Sequence, residues 1–282
     1  VATTQPPVIL VDSVYSGVRQ YPTAVFSASS SATGTDVRNL SSGRRERAWW
    51  QSASASANSG VTSDLGVGAN KVVDSLWLDR GHQNCWGNTL QLNVRNDAGA
   101  VIDSRTWTVP ASGTVGGDPT SGTLAVTEEG ALYAFFVATA AGRYFDVFIQ
   151  QAVQPLFTGL LLGQRTQIPY FSSTLDEDAG KIAGVVREQS DAGYEAVSRG
   201  YDHREFSLTY AKIGTTVYDG TLRQLRELLF ARQQIAFVAS NYGLYPARGW
   251  LMRHNGDTWS APTTGVLRQV QIPLREVGAL IK

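Results

Sequence analysis

Apolar and polar residues alternate along most of the chain with the two-residue period of a half-buried β-strand. Val72, Asp74, Leu76 and Leu78 share one face of KVVDSLWLDR, and Leu90, Leu92 and Val94 share one face of TLQLNVRN. Asn96-Asp97-Ala98-Gly99 has ordinary turn chemistry, and AVIDSRTWTV follows as the returning strand of a hairpin. GALYAFFVAT and RYFDVFIQQ are two further strand candidates, with aromatic and β-branched residues on both faces. Polar stretches rich in Ser, Thr, Gly and Ala (Ser27–Thr35, Gln51–Ser63, Ala111–Thr123) lie between strand signals and read as loops. One segment departs from the β pattern. Leu222, Leu225, Leu228 and Leu229 recur at helical spacing in Thr221–Gln234, and Thr221 with Gln224 fits a capping box. The pattern predicts one helix near 221–234, followed by strands in IAFVAS, RGWLMRH and LRQVQIPLREV.

The fold class predicted is therefore mainly β. A β-sandwich is expected over residues 1–165, and a β-rich module with the single helix over 166–282. The boundary is set by Pro155 and Pro169 and by composition: five of the seven tryptophans precede residue 110, whereas the helix follows it. Trp50 is expected to enter the sandwich core, where a tryptophan buries roughly 150–250 Å².

Composition narrows the function. The 282 residues carry 24 basic and 24 acidic side chains, a net charge of zero, which argues against non-specific nucleic-acid binding. Arg44-Arg45-Glu46-Arg47 beside Trp49 and Trp50 is the one short basic cluster, and Glu46 interrupts it. No apolar run reaches the roughly 20 residues of a membrane-spanning helix. The single cysteine, Cys85, excludes an intrachain disulfide and a multi-cysteine metal site. Val1 is the kind of small residue left when an initiator methionine is trimmed. VATTQPPVIL has no basic region leading into an apolar core, so synthesis in the cytoplasm is the expectation. Charged residues make up only 17%, fewer than the roughly 25% of ordinary soluble domains, and that suits a surface packed against neighbours. Lysine is confined to Lys71, Lys181, Lys212 and Lys282; the arginine excess reads equally well as a GC-rich genome.

Catalytic patterns are missing. His82, His203 and His254 are far apart, with no Gly-x-Ser-x-Gly elbow and no His-Glu-x-x-His helix. His82 has Asp79 and Cys85 three residues to either side, but a strand-end loop gives it a backbone-bracing role. The acidic runs Asp176-Glu177-Asp178 and Glu128-Glu129 sit among turn residues and read as solvated loops. Asp176 and Asp178 lack the spacing of a calcium loop. No enzyme, cofactor or metal is expected.

The N-terminal half resembles the galactose-binding-like (discoidin-type) jelly rolls. The resemblance rests on Ala48-Trp49-Trp50-Gln51-Ser52, Ser63-Asp64-Leu65-Gly66, Lys71–Leu78, Leu90–Val94 with its turn, Tyr144–Gln151 and Leu160-Leu161-Leu162-Gly163. Asp79-Arg80-Gly81-His82-Gln83-Asn84 is similar to an element of phage tail-associated versions of that fold. The order of elements after residue 166 resembles the β-rich modules of tail and baseplate proteins. The resemblance implies a non-enzymatic structural subunit of a phage virion, in its tail or tail tip. It would assemble with copies of itself and other virion proteins through sandwich edges and loops. Arg44, Arg45 and Arg47 would pair with Asp176 and Asp178 across such interfaces, and Phe135, Phe136, Tyr144, Phe145 and Phe148 would supply apolar contact. The alternative is a carbohydrate-binding module for host cell-surface glycans. In that case His82, Asn84, Trp86 and Asn88 form the sugar site, with Trp49 beside Arg44–Arg47 as a second set.

Overall fold

The computed structural model describes residues 7–11, 13–15, 24–41, 50–80, 82–169, 181–182, 185–189, 195–199, 203–223, 225, 227, 235–238, 248–254, 259–264 and 266–277. It divides into two compact units. The first is Val1–Pro169 with Gln233–Leu251, and the second is Tyr170–Arg232 with Met252–Lys282.

The first unit is an antiparallel β-sandwich. One sheet has the order β2-β4-β10-β6-β7, from Val25–Ala28, Ser59–Asp64, Tyr144–Ile149, Thr89–Arg95 and Val101–Thr108. The hairpin read from the sequence is β6–β7, paired from Thr89↔Thr108 to Arg95↔Val101 with a bulge beside Val94. Strands β6 and β10 alternate strictly between buried and half-buried residues. Leu90, Leu92, Val94, Phe145, Val147 and Ile149 point inward, each fully buried. Burial of such a side chain contributes about 1.5–3 kcal/mol, enough to fix the register, because a one-residue slip would send all six to solvent.

Facing this sheet is a second one, ordered β17-β1-β12-β5-β9-β8 from Ile235–Val238, Val8–Val11, Leu160–Gln167, Ser75–Leu78, Leu132–Phe135 and Ala125–Val126. Leu76, Leu78, Leu132, Ala134, Leu160 and Leu162 join the inner cluster. The opposite face is also covered. Trp77 and Tyr133 pack 6.0 Å apart there, and a side chain added at Gly249 would meet the Trp77 ring at 3.1 Å. Strands β5 and β9 are accordingly buried at every position. Two predicted features change as a result. The strand expected across Val72–Leu78 begins only at Ser75, and its four residues form the continuous apolar run of a strand enclosed on both faces. Phe135, taken as interface material, is buried within the unit, and Phe136 packs on Trp107 with centroids 5.2 Å apart. Trp50, in the short strand β3 (Trp50–Gln51) paired with β11 (Leu156–Phe157), is completely buried.

In the second unit, β16 (His203–Gly214) pairs along one edge of β20 (Leu267–Glu276). The other edge of β20 is shared by β19 (Trp259–Thr264) and the end of β18 (Gly249–His254). Strand β13 (Lys181–Ile182) adds to β16, and β14 (Val185–Gln189) pairs with β15 (Glu195–Arg199). The helix starts earlier than expected. It opens as α1 (Thr215–Val217) directly after β16 and widens into a π turn at Tyr218–Leu222. Helical conformation recurs at Arg223, Leu225 and Glu227. Thr221 is thus inside the helix, not its cap. The buried stripe is Tyr218, Leu222 and Leu225, at intervals of four and three, so the apolar face begins a full turn before the first leucine. Arg268 lies 4.9 Å over the Tyr218 ring and covers it. The expected helix end, residues 228–234, lies outside the described residues.

Candidate functional site

His82, Asn84, Trp86 and Asn88 do come together in one loop at an end of the sandwich, where both asparagine amides and His82 bond to backbone carbonyls. The Asn84 amide donates to the Gln154 carbonyl at 2.9 Å, from a left-handed backbone (φ 58°). Asn88 donates to the carbonyls of Trp86 and Asn84 at 3.0 and 3.2 Å. Trp86 is half-buried, its ring 4.7 Å from that of His82. His82 itself is buried, and its Nε2 lies 3.1 Å from the Gly130 carbonyl, a contact that requires the proton on Nε2. Its Nδ1 has no hydrogen-bond partner among the described residues. The loop is braced by the side-chain amides of Asn84 and Asn88 and by His82. Cys85 is no nucleophile: burial pushes its thiol up to about 12, and Sγ donates to the Gln83 carbonyl. Arg44, Arg45, Arg47, Trp49, Asp176 and Asp178 lie outside the described residues.

The His82 environment has a pH signature. Burial lowers its pKa from 6.5 to about 4, since a charged imidazolium would lose its hydration there. The unfolded chain therefore binds a proton that the native state refuses. The stability tied to neutral His82 is intact above about pH 6.5 and is lost as pH falls toward 4, to the extent of about 3 kcal/mol. Asp64, held below the usual carboxylate range by its bond to Arg143, loses its contribution at more acidic pH. Chemical denaturation at pH 7 and pH 4.5 is expected to show a drop that His82→Gln largely removes. An equal drop in the variant would place its origin elsewhere.

A hollow of about 310 Å³ lies on the outward face of the five-stranded sheet, at none of the residues proposed as a binding site; most of its lining comes from two stretches expected to be loops, Ser27–Thr35 and Gln51–Ser63, of which residues 27–28 and 59–63 are in fact strand. Its walls come from three strands: Ser27, Ala28 and Ser29 at the β2 edge, Asn58, Gly60 and Thr62 around β4, and Asp146 and Phe148 on β10. Register builds it. Ser27 lies opposite Thr62, and Thr62 opposite Asp146, while Phe148 lies opposite Gly60. Gly60 makes the floor. A Cβ there would fall 2.2 Å from the Val147 carbonyl oxygen and 2.3 Å from the Phe148 Cβ, so no side chain fits.

The polar groups are held in place. Arg95 grips Asp146 through two bonds of 2.7 and 2.8 Å, and Thr62 donates to Asp146 at 2.7 Å. This bidentate pairing neutralises the carboxylate and fixes its orientation. Ser29 Oγ accepts from the Gly60 amide at 3.1 Å. A chain of hydroxyls, Ser30–Ser52 (2.9 Å) and Ser56–Ser59 (2.8 Å), stiffens the loop that leads into β4. In that loop Asn58 takes a left-handed conformation (φ 57°) tolerated by asparagine, its backbone N–H donating to the Gln150 carbonyl. Further along the same face Tyr144 lies beneath the guanidinium groups of Arg95 and Arg143, at 4.7 and 4.6 Å. Of the five aromatics proposed for interfaces, Tyr144 and Phe148 are the two on this outward face. Sequence gave no local sign of the hollow, whose residues are contributed from positions as distant as 27 and 148. The alternating outward positions of β10, with Asp146 and Phe148 two apart, were the available clue.

No family profile and no curated protein matches the chain. Among solved structures, the lectin domain of lectinolysin complexed with Lewis B antigen aligns with a TM-score of 0.40 and 14% identity, over 54% of this chain and 96% of that one. A fucose binding module of Streptococcus pneumoniae aligns at 0.39 with 11% identity, over 54% and 95%. A chitosan-binding module from a Paenibacillus sp. IK-5 chitosanase/glucanase aligns at 0.37 with 15% identity, over 54% and 98%.

Proposed function

We propose that the first unit is a carbohydrate-binding β-sandwich and that the sugar sits in the hollow beside Phe148. The observation that carries this reading is the lining of the hollow. A half-buried aromatic side chain stands next to hydroxyls (Ser27, Ser29, Thr62), an amide (Asn58) and an immobilised, charge-compensated carboxylate (Asp146). A pyranose offers an apolar C–H face and a rim of hydroxyls, and these groups match both. The volume is that of a small-ligand site, and the polar groups are preorganised, so little ordering cost falls on binding. The sugar reading thus moves from the His82–Asn88 loop, where the asparagine amides and His82 brace the loop itself, to the sheet face.

Titration calorimetry against a panel of neutral monosaccharides tests it. At least one is expected to bind, and Phe148→Ala is expected to weaken it by about tenfold, or 1.4 kcal/mol, without changing the melting profile much. Unchanged affinity in Phe148→Ala would remove the hollow from consideration.

The second reading, a structural subunit of a phage virion, keeps one observation in its favour. Strands β2 and β7 are the outer strands of the five-stranded sheet, and β7 exposes Val101 and Ile102 beside its open edge. Light scattering on the purified chain separates the readings. Concentration-dependent assembly is expected of a virion subunit, and a stable monomer at high concentration counts against it.

A further inference from the structure

We infer that the site takes a linear, neutral glycan of about four sugar units laid across the strands, the hollow being one end of a longer track. This rests on the proposed sugar reading and extends it. The register carries the inference. Ser27, Thr62, Asp146, Asn93 and Ser104 are successive cross-strand partners, so all five strands contribute one short polar side chain to a single transverse row. Five strands at about 4.8 Å spacing make a row about 19 Å long, the length of about four pyranose rings.

Beyond the hollow the row remains suited to sugar hydroxyls. Asn93 Oδ1 accepts from Gln91 at 2.7 Å and from Ser104 at 2.9 Å. That network fixes the amide, whose nitrogen has no hydrogen-bond partner among the described residues and can donate to a ligand. Gln150 donates to Gln91 in turn, so the donors of the network are aligned toward Asn93. The one charge in the row, Asp146, is matched by Arg95, and the other side chains are uncharged. An anionic polymer finds no unmatched cation there, and a basic peptide finds no unmatched carboxylate.

The experiment is a calorimetric titration with gluco-, galacto-, manno- and N-acetylglucosamine oligosaccharides of one to six units. In the series that binds, affinity is expected to rise by about tenfold from one unit to four and then level off. Asn93→Ala is expected to weaken the tetrasaccharide about fivefold and leave the monosaccharide unchanged, the effect of one hydrogen bond. Ser104→Leu, on the exposed outer strand, blocks the far end independently and is expected to bring the tetrasaccharide toward the disaccharide affinity. Equal affinity for all lengths, or no effect of both substitutions on the tetrasaccharide, overturns the track. If Phe148→Ala still weakens monosaccharide binding about tenfold in that case, the hollow stands and the track alone fails. Absence of binding by every member of the panel overturns both.

Discussion

Gly60→Ala is expected to destabilise the first unit by about 3 kcal/mol or more and to abolish ligand binding in whatever fraction still folds. Adding one methyl group to a surface strand ordinarily changes little. Here the new carbon would fall 2.2 Å from the Val147 carbonyl oxygen and 2.3 Å from Phe148 Cβ. Neither is the end of a flexible side chain, so the strands themselves have to separate. Overpacking of this kind typically costs about 1–3 kcal/mol, and more where backbone must move. The displaced pair, Gly60↔Phe148, lies inside the central β4–β10 ladder. Urea denaturation of wild type and variant measures the loss, and a change below about 1 kcal/mol would show that the sheet relaxes freely at this point.

The largest effect expected is that of Trp50→Ala, about 3–5 kcal/mol. Trp50 is fully buried against Phe157, with ring centroids 5.2 Å apart, and its indole N–H donates to the Ser30 carbonyl at 3.0 Å and to Ser31 Oγ at 3.1 Å. Truncation leaves a cavity and removes the donor that ties the 29–35 segment to the core. Trp50→Phe separates the two contributions. It keeps most of the volume and loses the hydrogen bonds, with an expected cost of about 1–2 kcal/mol. Because Ser29 and Ser30 border the hollow or its supporting loop, the Phe variant is also expected to weaken sugar binding while the fold persists. Equal stabilities for the Ala and Phe variants would show that the hydrogen bonds, not the packing, hold this corner.

These two residues differ in how legible they were. Trp50 announces itself in sequence: a tryptophan leading into a polar loop needs a core to enter. The β6–β7 hairpin is legible for the same kind of reason, because Leu90, Leu92 and Val94 alternate with polar residues around a local turn. Gly60 gives no such sign, since its role depends on which residue of a strand some 85 positions later comes to lie opposite it. The hollow is unreadable on the same ground: its chemistry is assembled by long-range register, and each contributing serine or threonine looks like ordinary loop composition. The His82–Asn88 cluster shows the converse. Residue types suited to sugar binding were grouped correctly in space, yet sequence cannot tell whether an amide faces outward or caps its own loop. The helix was placed a turn late because Tyr218, within a segment that reads as a turn, carries the first contact of the buried stripe.

Strand β17 has a consequence for the order in which the protein forms. It lies at residues 235–238, yet it pairs with β1 at residues 8–11. A chain emerging from the ribosome can assemble the β2-β4-β10-β6-β7 sheet as soon as residue 149 is free. Its second sheet then waits, with one side of β1 unpaired, through the synthesis of everything up to Val238. At about 5–20 residues per second that interval lasts several seconds. During it the nascent first unit exposes an apolar strand edge to whatever else is nearby, so synthesis at high local chain density is the condition in which misassembly competes best with folding.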